Sequence, residues 1–192
     1  MYPLADLFGE NTGLYFFSAV FQGNMALLAL IGVFIVFKIQ QLNSSISQIN
    51  DLIIRFVKDT LSFGLQPGYY FPLKCEIING VPDIYTALSN IKENDPLFGK
   101  RKKLEEDNGL KKIYEESKFL NAQKAICKAR SKLPILWTIA TICFSIVCLP
   151  MVNTIHSKII FLEISLVLIG IILNTITLIS NYSFIKSVVK NC

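Results

Sequence analysis

The chain has no lysine or arginine before Lys38, no aspartate inside any of its long apolar runs, and a single histidine, His156. Each absence closes a class of chemistry. Intramembrane proteolysis needs paired carboxylates within the spans, and metal hydrolysis needs grouped histidines or acids. The chain also lacks a phosphate-cradling glycine loop and a Gly-x-Ser-x-Gly nucleophile turn. No catalytic, cofactor-binding or metal-ligating residue is therefore assigned, and no enzyme is expected. Of the five cysteines, Cys75, Cys127, Cys143, Cys148 and Cys192, none forms a Cys-x-x-Cys pair or a terminal prenylation box. They read as small apolar residues. Internal repeats and low-complexity tracts are also missing.

What the chain does have is long hydrophobic runs, at 14–37, 133–152 and 159–179. Each is long enough to cross the ~30 Å hydrocarbon core as one helix. Lipid offers no partner to backbone N–H and C=O groups, so continuous, non-alternating runs must be helical. The first run is not a secretory signal, because it lacks a basic leader and a small-residue cleavage site; residues 1–13 are expected to remain attached. The remaining water-exposed chain is mostly one connecting segment, 38–132, too small for a large separate core.

Charge sets orientation. All Lys and Arg except Lys158, Lys186 and Lys190 fall in 38–132, while the N-terminal tail carries only Asp6 and Glu10. Cytoplasmic loops retain positive charge, so the tail is expected outside and the C-terminus inside. Tyr15, Phe16 and Phe17 open the first span, Trp137 lies near the start of the second, and Tyr182 follows the third, all at interfacial positions. The expected fold is an all-α integral membrane protein with three transmembrane helices, N-out and C-in. Its parts are an external tail (1–13), spans at 14–37, 133–152 and 159–179, an external turn (153–158), a cytoplasmic tail (180–192) and a cytoplasmic helical domain (38–132).

That domain has its own pattern. Ile39, Leu42, Ile46, Ile49, Ile53 and Phe56 recur at alternating steps of three and four, one stripe of a helix continuing out of the first span. Phe119, Ala122, Ile126, Ala129 and Leu133 repeat the spacing on the charged segment before the second span. The two are expected to pair as an antiparallel stalk, 38–61 with 100–132, its apolar stripes also serving as an oligomer interface. A break is expected at Asn108-Gly109. Residues 62–99 read as a small cap, with Pro67-Gly68 as a turn, an aromatic group at Tyr69, Tyr70 and Phe71, Asn79-Gly80 joining two short extended pieces, and a short helix over 82–92.

Each span carries small or polar residues at helical period. The third shows Glu163, Val167, Gly170, Asn174, Thr177 and Asn181; the second Thr138, Thr141, Ser145 and Cys148; the first Ser18, Gln22, Ala26 and Ala29. Small and hydroxyl residues let helices approach and hydrogen-bond in lipid, giving a packed interface. The alternative is a hydrated path in an oligomer. Glu163 is the one carboxylate within a span, so by position it is a functional candidate. It lies about one turn from Lys158 and the outer surface, with which it can pair. His156 reads as an exposed turn residue. Lys100, Arg101, Lys102 and Lys103 form a dense basic cluster where an acidic protein or nucleic acid can dock, although a solvated run has the same composition and nothing specific supports nucleic acid. Lys124, Lys128, Arg130 and Lys132 precede the second span and answer to orientation and anionic headgroups.

This plan, an outside tail, a span continuing as a cytoplasmic helix, a loop of almost a hundred residues and a two-span hairpin, resembles bacterial proton-channel stators of the ExbB, TolQ and MotA kind. That resemblance implies a pentamer with threonines along an ion path, at places comparable to Thr138, Thr141 and Thr177. The Gly- and Ala-rich hairpin of those proteins is replaced here by Ile-Ile-Phe-Leu-Glu-Ile-Ser-Leu-Val-Leu-Ile-Gly from Ile159. The size and basic cap are also similar to small membrane effectors of bacterial anti-phage defence. The expected function is a non-enzymatic, homo-oligomeric protein of the bacterial inner membrane, channel-like or an effector, gated by a cytosolic protein partner. A stator subunit and a passive anchor or scaffold are the alternatives.

Overall fold

The computed structural model of the protein describes residues 12–63, 75–155 and 160–190. Helix dominates them: α1 (Thr12–Ser62), α2 (Ile84–Ser89), α3 (Phe98–Glu106), α4 (Asn108–Ile155) and α5 (Ile160–Lys190), with a hairpin of β1 (Ile77–Ile78) and β2 (Val81–Pro82). Helices α1, α4 and α5 are each long and apolar enough to cross a membrane, which is the composition of a multi-pass membrane protein. The 51 residues of α1 span ~77 Å at 1.5 Å each. The hydrocarbon core takes ~30 Å of that. The helix is therefore longer than one crossing needs. The chain forms two compact units, Met1–Phe37 with Cys127–Cys192, and Lys38–Ile126.

In the first unit, one face of α5 turns inward along Glu163, Val167, Gly170, Thr177, Asn181, Phe184 and Val188, all buried. Leu168, Ile169, Ile171 and Ile172 lie on other faces and are exposed, as lipid contact requires. Helix α4 contributes Thr138, Thr141, Ser145, Cys148 and Val152, and α1 contributes Gly13, Phe17, Val20, Asn24 and Ile31. The stripes read on the second and third spans are thus the packed faces. The stripe read on the first is not: Gln22, Ala26 and Ala29 are exposed and Ser18 is half-buried. Their small side chains fit a close helix contact, but Phe17 and Asn24 supply the volume and hydrogen bonding that the other two helices meet.

Two apolar clusters hold the bundle, Phe17, Cys148, Val152 and Val167 in one, and Ile31, Cys127, Phe184 and Val188 in the other. Phe16 and Phe17 stack edge to face at 5.1 Å, and Phe17 meets Phe144 at 6.0 Å. A Cβ on Gly170 would fall 2.9 Å from Phe16 and 3.0 Å from Phe17, so only glycine admits the rings there. Helix α4 carries Pro134 and Pro150 internally. Neither can donate to the preceding turn, a loss that membrane helices tolerate when neighbours supply replacement bonds.

The second unit buries much of the α1 stripe. Leu42, Ile46 and Ile53 are buried, Ile39 is half-buried, and Ile49 and Phe56 are partly buried against a core of Ile53, Val57, Leu61, Ile84, Leu88, Leu104 and Leu110. The matching stripe on the charged helix is not buried within one copy of the chain: Phe119 and Ile126 are 61% and 48% exposed, and Leu133, in the first unit, is 58% exposed. The inward line instead runs through Leu110, Tyr114, Ser117 and Asn121. Ser117 is fully buried because its hydroxyl donates to Asn50 Oδ1 at 2.7 Å, a bond that a count of apolar residues does not see.

The helix break lies one residue before Asn108-Gly109. Asp107 is extended (ψ 115°) and its carboxylate accepts from Leu110 N at 2.9 Å, capping α4. Asn79 (φ 54°) and Gly80 (φ 82°) form the turn of the expected hairpin, both in the left-handed region that a primed two-residue turn needs. Asp83 caps α2 through Thr86 N at 3.2 Å, so the helix read over 82–92 is shorter and Pro82 belongs to β2. The readings at Pro67 to Phe71, His156 and Lys158 lie outside the described residues.

Candidate functional site

The candidate site is the polar seam inside the three-helix unit. Asn24 Nδ2 donates to Asn174 Oδ1 at 2.9 Å and to Val20 O at 2.8 Å. One and two turns further along α5, the Thr141 and Thr177 hydroxyls meet at 2.7 Å, and Asn181 Nδ2 donates to Thr138 Oγ1 at 3.1 Å. Thr138 in turn donates to Pro134 O and Ser145 to Thr141 O, at 2.8 and 2.9 Å. Thr138, Thr141, Ser145 and Thr177 have no exposed surface. Asn24 pairs with Asn174, Thr141 with Thr177 and Asn181 with Thr138 within one copy of the chain, while the buried Asn24 Oδ1 and Asn181 Oδ1 have no hydrogen-bond partner among the described residues.

The seam has a gap. Between Asn174 and Glu163, about 11 residues or ~16 Å along α5, the packed layer is Phe16, Phe17, Cys148, Val152 and Val167 over Gly170. Glu163 stands beyond that layer, in the first turn of α5, fully buried. A Cβ on Gly13 would fall 2.5 Å from its carboxylate and 2.7 Å from Val152, so the bare backbone of α1 makes room for the acid. The sequence stripe therefore resolves into two parts, a carboxylate at one end and an amide and hydroxyl ladder at the other, divided by aromatic packing. Asn24 lies off the small-residue stripe of the first span, although an asparagine in an apolar run is itself a signal. Its depth matches that of Asn174.

In the second unit, Asn50 Nδ2 donates to Gly80 O at 2.8 Å, and Asn121 Nδ2 to Ser117 O at 3.0 Å and Gly80 O at 3.3 Å. This knot pins the hairpin to α1 and α4. Beside it is a groove of about 620 Å³ lined by Ile78, Val81, Asp83, Tyr114, Lys118 and Ala122, among others. The basic cluster divides. Lys100 Nζ donates to Leu61 O at 2.9 Å and also to Phe63 O; Arg101 donates to Glu105 at 2.8 Å and to Ile91 O at 2.8 Å and lies over the Phe98 ring. Lys102 and Lys103 are exposed. Half of the cluster is thus committed to closing the domain, which leaves a thinner basic surface than the sequence run implies. Burial, with Asp83 nearby, pushes the Cys75 thiol above its ordinary range, against a smaller opposing effect of Lys58. Among the described residues no group of three or more His, Cys, Asp or Glu is placed to hold a metal ion.

Comparison with known proteins returns no matching family model, no matching curated protein and no matching solved structure.

Proposed function

We propose that the chain is a non-enzymatic membrane anchor or scaffold of the bacterial inner membrane, N-out and C-in, whose helical domain (38–126) receives a cytosolic protein partner. The observation that carries this reading is the pairing of the seam: Asn24 with Asn174, Thr141 with Thr177, Thr138 with Asn181. Donors and hydroxyls spent on one another hold helices together and are not presented to a passing ion, the buried amide oxygens of Asn24 and Asn181 excepted. The partner site is the groove beside the hairpin, where Ile78 and Ala122 are exposed next to Lys118. Self-association is assigned to the exposed Gln22, Ala26 and Ala29 of α1, small enough for close approach and carrying an amide that gains a partner in lipid. The test is the mass of the complex extracted in mild detergent. It is expected to contain a stoichiometric soluble protein that is lost on Ala122→Glu. A ring of four or more copies with nothing else bound would count against an anchor.

A second reading, a channel-like protein or effector gated by that partner, is favoured by Glu163, a fully buried carboxylate within a candidate span. In that case the Phe16 and Phe17 layer is an apolar gate between the acid and the ladder. Ion flux into liposomes that is abolished by Glu163→Gln would establish it; liposomes no leakier than protein-free ones would dismiss it.

A further inference from the structure

A second groove, of about 540 Å³, runs between α4 and α5 in the membrane unit. Arg130, Ser183 and Ser187 line one end, and Leu133, Trp137 and Ile179 line its apolar length. Arg130 Nη1 donates to Ser187 Oγ, so the guanidinium is held across the two helices, yet the residue remains exposed with most of its donors available. Leu133 and Ile179 are 58% and 63% exposed.

The chemistry is graded along the helix axis. From Ser187 to Ile176 the groove extends ~16 Å, from a cation and hydroxyls into aliphatic surface. Tryptophan with one polar edge and an apolar body belongs at the level where headgroup meets acyl chain. Arg130 is the one charged residue lining the groove, and the one acidic residue from Cys127 onward, Glu163, lies about 24 residues or ~36 Å from Ser187 along α5. Planar guanidinium with flanking hydroxyls suits a phosphate diester, and among the described residues no carboxylate lines the groove to offer a place to a cationic headgroup.

We propose that this groove is a binding site for an anionic phospholipid, its phosphate held by Arg130 with the Ser183 and Ser187 hydroxyls and one acyl chain lying along Leu133, Trp137 and Ile179. A bound lipid of this kind ties α4 to α5 at the end where Pro134 leaves the turn above it without a backbone donor. The site is independent of the anchor reading and requires only that α4 and α5 sit in a bilayer.

Trp137 is the chain's single tryptophan, so its fluorescence reports this groove directly. The full chain, reconstituted in phosphatidylcholine vesicles, is titrated with acyl-brominated phosphatidylglycerol or with acyl-brominated phosphatidylcholine. The anionic quencher is expected to be about fivefold more effective at equal mole fraction, the scale of one well-placed basic residue at an anionic surface. Arg130→Gln should remove that preference and leave quenching by phosphatidylcholine unchanged, whereas Lys186→Gln, outside the groove, should retain it. Should Arg130→Gln fail to reconstitute, Ser187→Ala, which should weaken the preference about twofold, carries the same test. Equal quenching by the two lipids, or equal losses in Arg130→Gln and Lys186→Gln, overturns the site. Displacement of the brominated anionic lipid by excess inorganic phosphate overturns the lipid and leaves a phosphate site.

Discussion

Gly170 shows how much one missing side chain decides. Its Cα faces the Phe16 and Phe17 rings, and a methyl group there would sit at 2.9–3.0 Å from them. Gly170→Ala is expected to destabilise the bundle by about 1–3 kcal/mol, because two stacked rings cannot both retreat. Unfolding of the purified protein in detergent measures it, and an unchanged transition would mean that the rings are not seated there. Cys75 tests the local environment of the other unit. Its raised pKa keeps the thiol protonated at neutral pH, and the thiolate is the reactive form. Alkylation at Cys75 is expected to lag behind that of the unfolded chain at pH near ~7.5 and to accelerate only as pH rises past the ordinary thiol range of about 8.5. A rate equal to the unfolded chain's at neutral pH would contradict the burial.

At the scale of elements, the seam is a set of helix contacts whose strength can be measured in pairs. A double-mutant cycle of Thr141→Val and Thr177→Val is expected to return a coupling of about 0.6 kcal/mol and no more than ~1.7, the range for hydrogen bonds between membrane helices. Coupling near zero would mean that the two hydroxyls do not meet. Much of this level was legible in the sequence. Where a helix has lipid on most of its circumference, the polar residues mark the protein-facing side, so the period of Glu163, Gly170, Thr177 and Asn181 located the inward face of α5 directly. On α1 the same reasoning chose Gln22 and Ala26 over Asn24 and Phe17, since a small-residue stripe and a large aromatic anchor are equally good packing faces until the partner is known. In the second unit the inward line of α4 passes through the buried Ser117 and the half-buried Asn121 rather than Phe119 and Ile126, because Ser117 and Asn121 hydrogen-bond to Asn50 and Gly80. The hairpin at Asn79-Gly80 was readable for a simpler reason: local backbone chemistry fixes it. Nothing in a linear pattern brings Arg130 to Ser187.

For the whole molecule, the controlling fact is that α1 and α4 each belong to both units. A reporter fused after Cys192 is expected to behave as cytoplasmic, given the basic residues flanking the second and third spans, and an external reporter would reverse the proposed orientation. The central claim is that the polar seam is closed packing within one copy. The most direct measurement is the accessibility of Thr177→Cys, in a chain otherwise freed of cysteine, to a charged, membrane-impermeant thiol reagent applied from each side of the membrane. Thr177 has no exposed surface, so the introduced thiol is expected to stay unmodified from both sides while Lys186→Cys reacts fully. Modification of Thr177→Cys would reveal water in the seam and contradict the account.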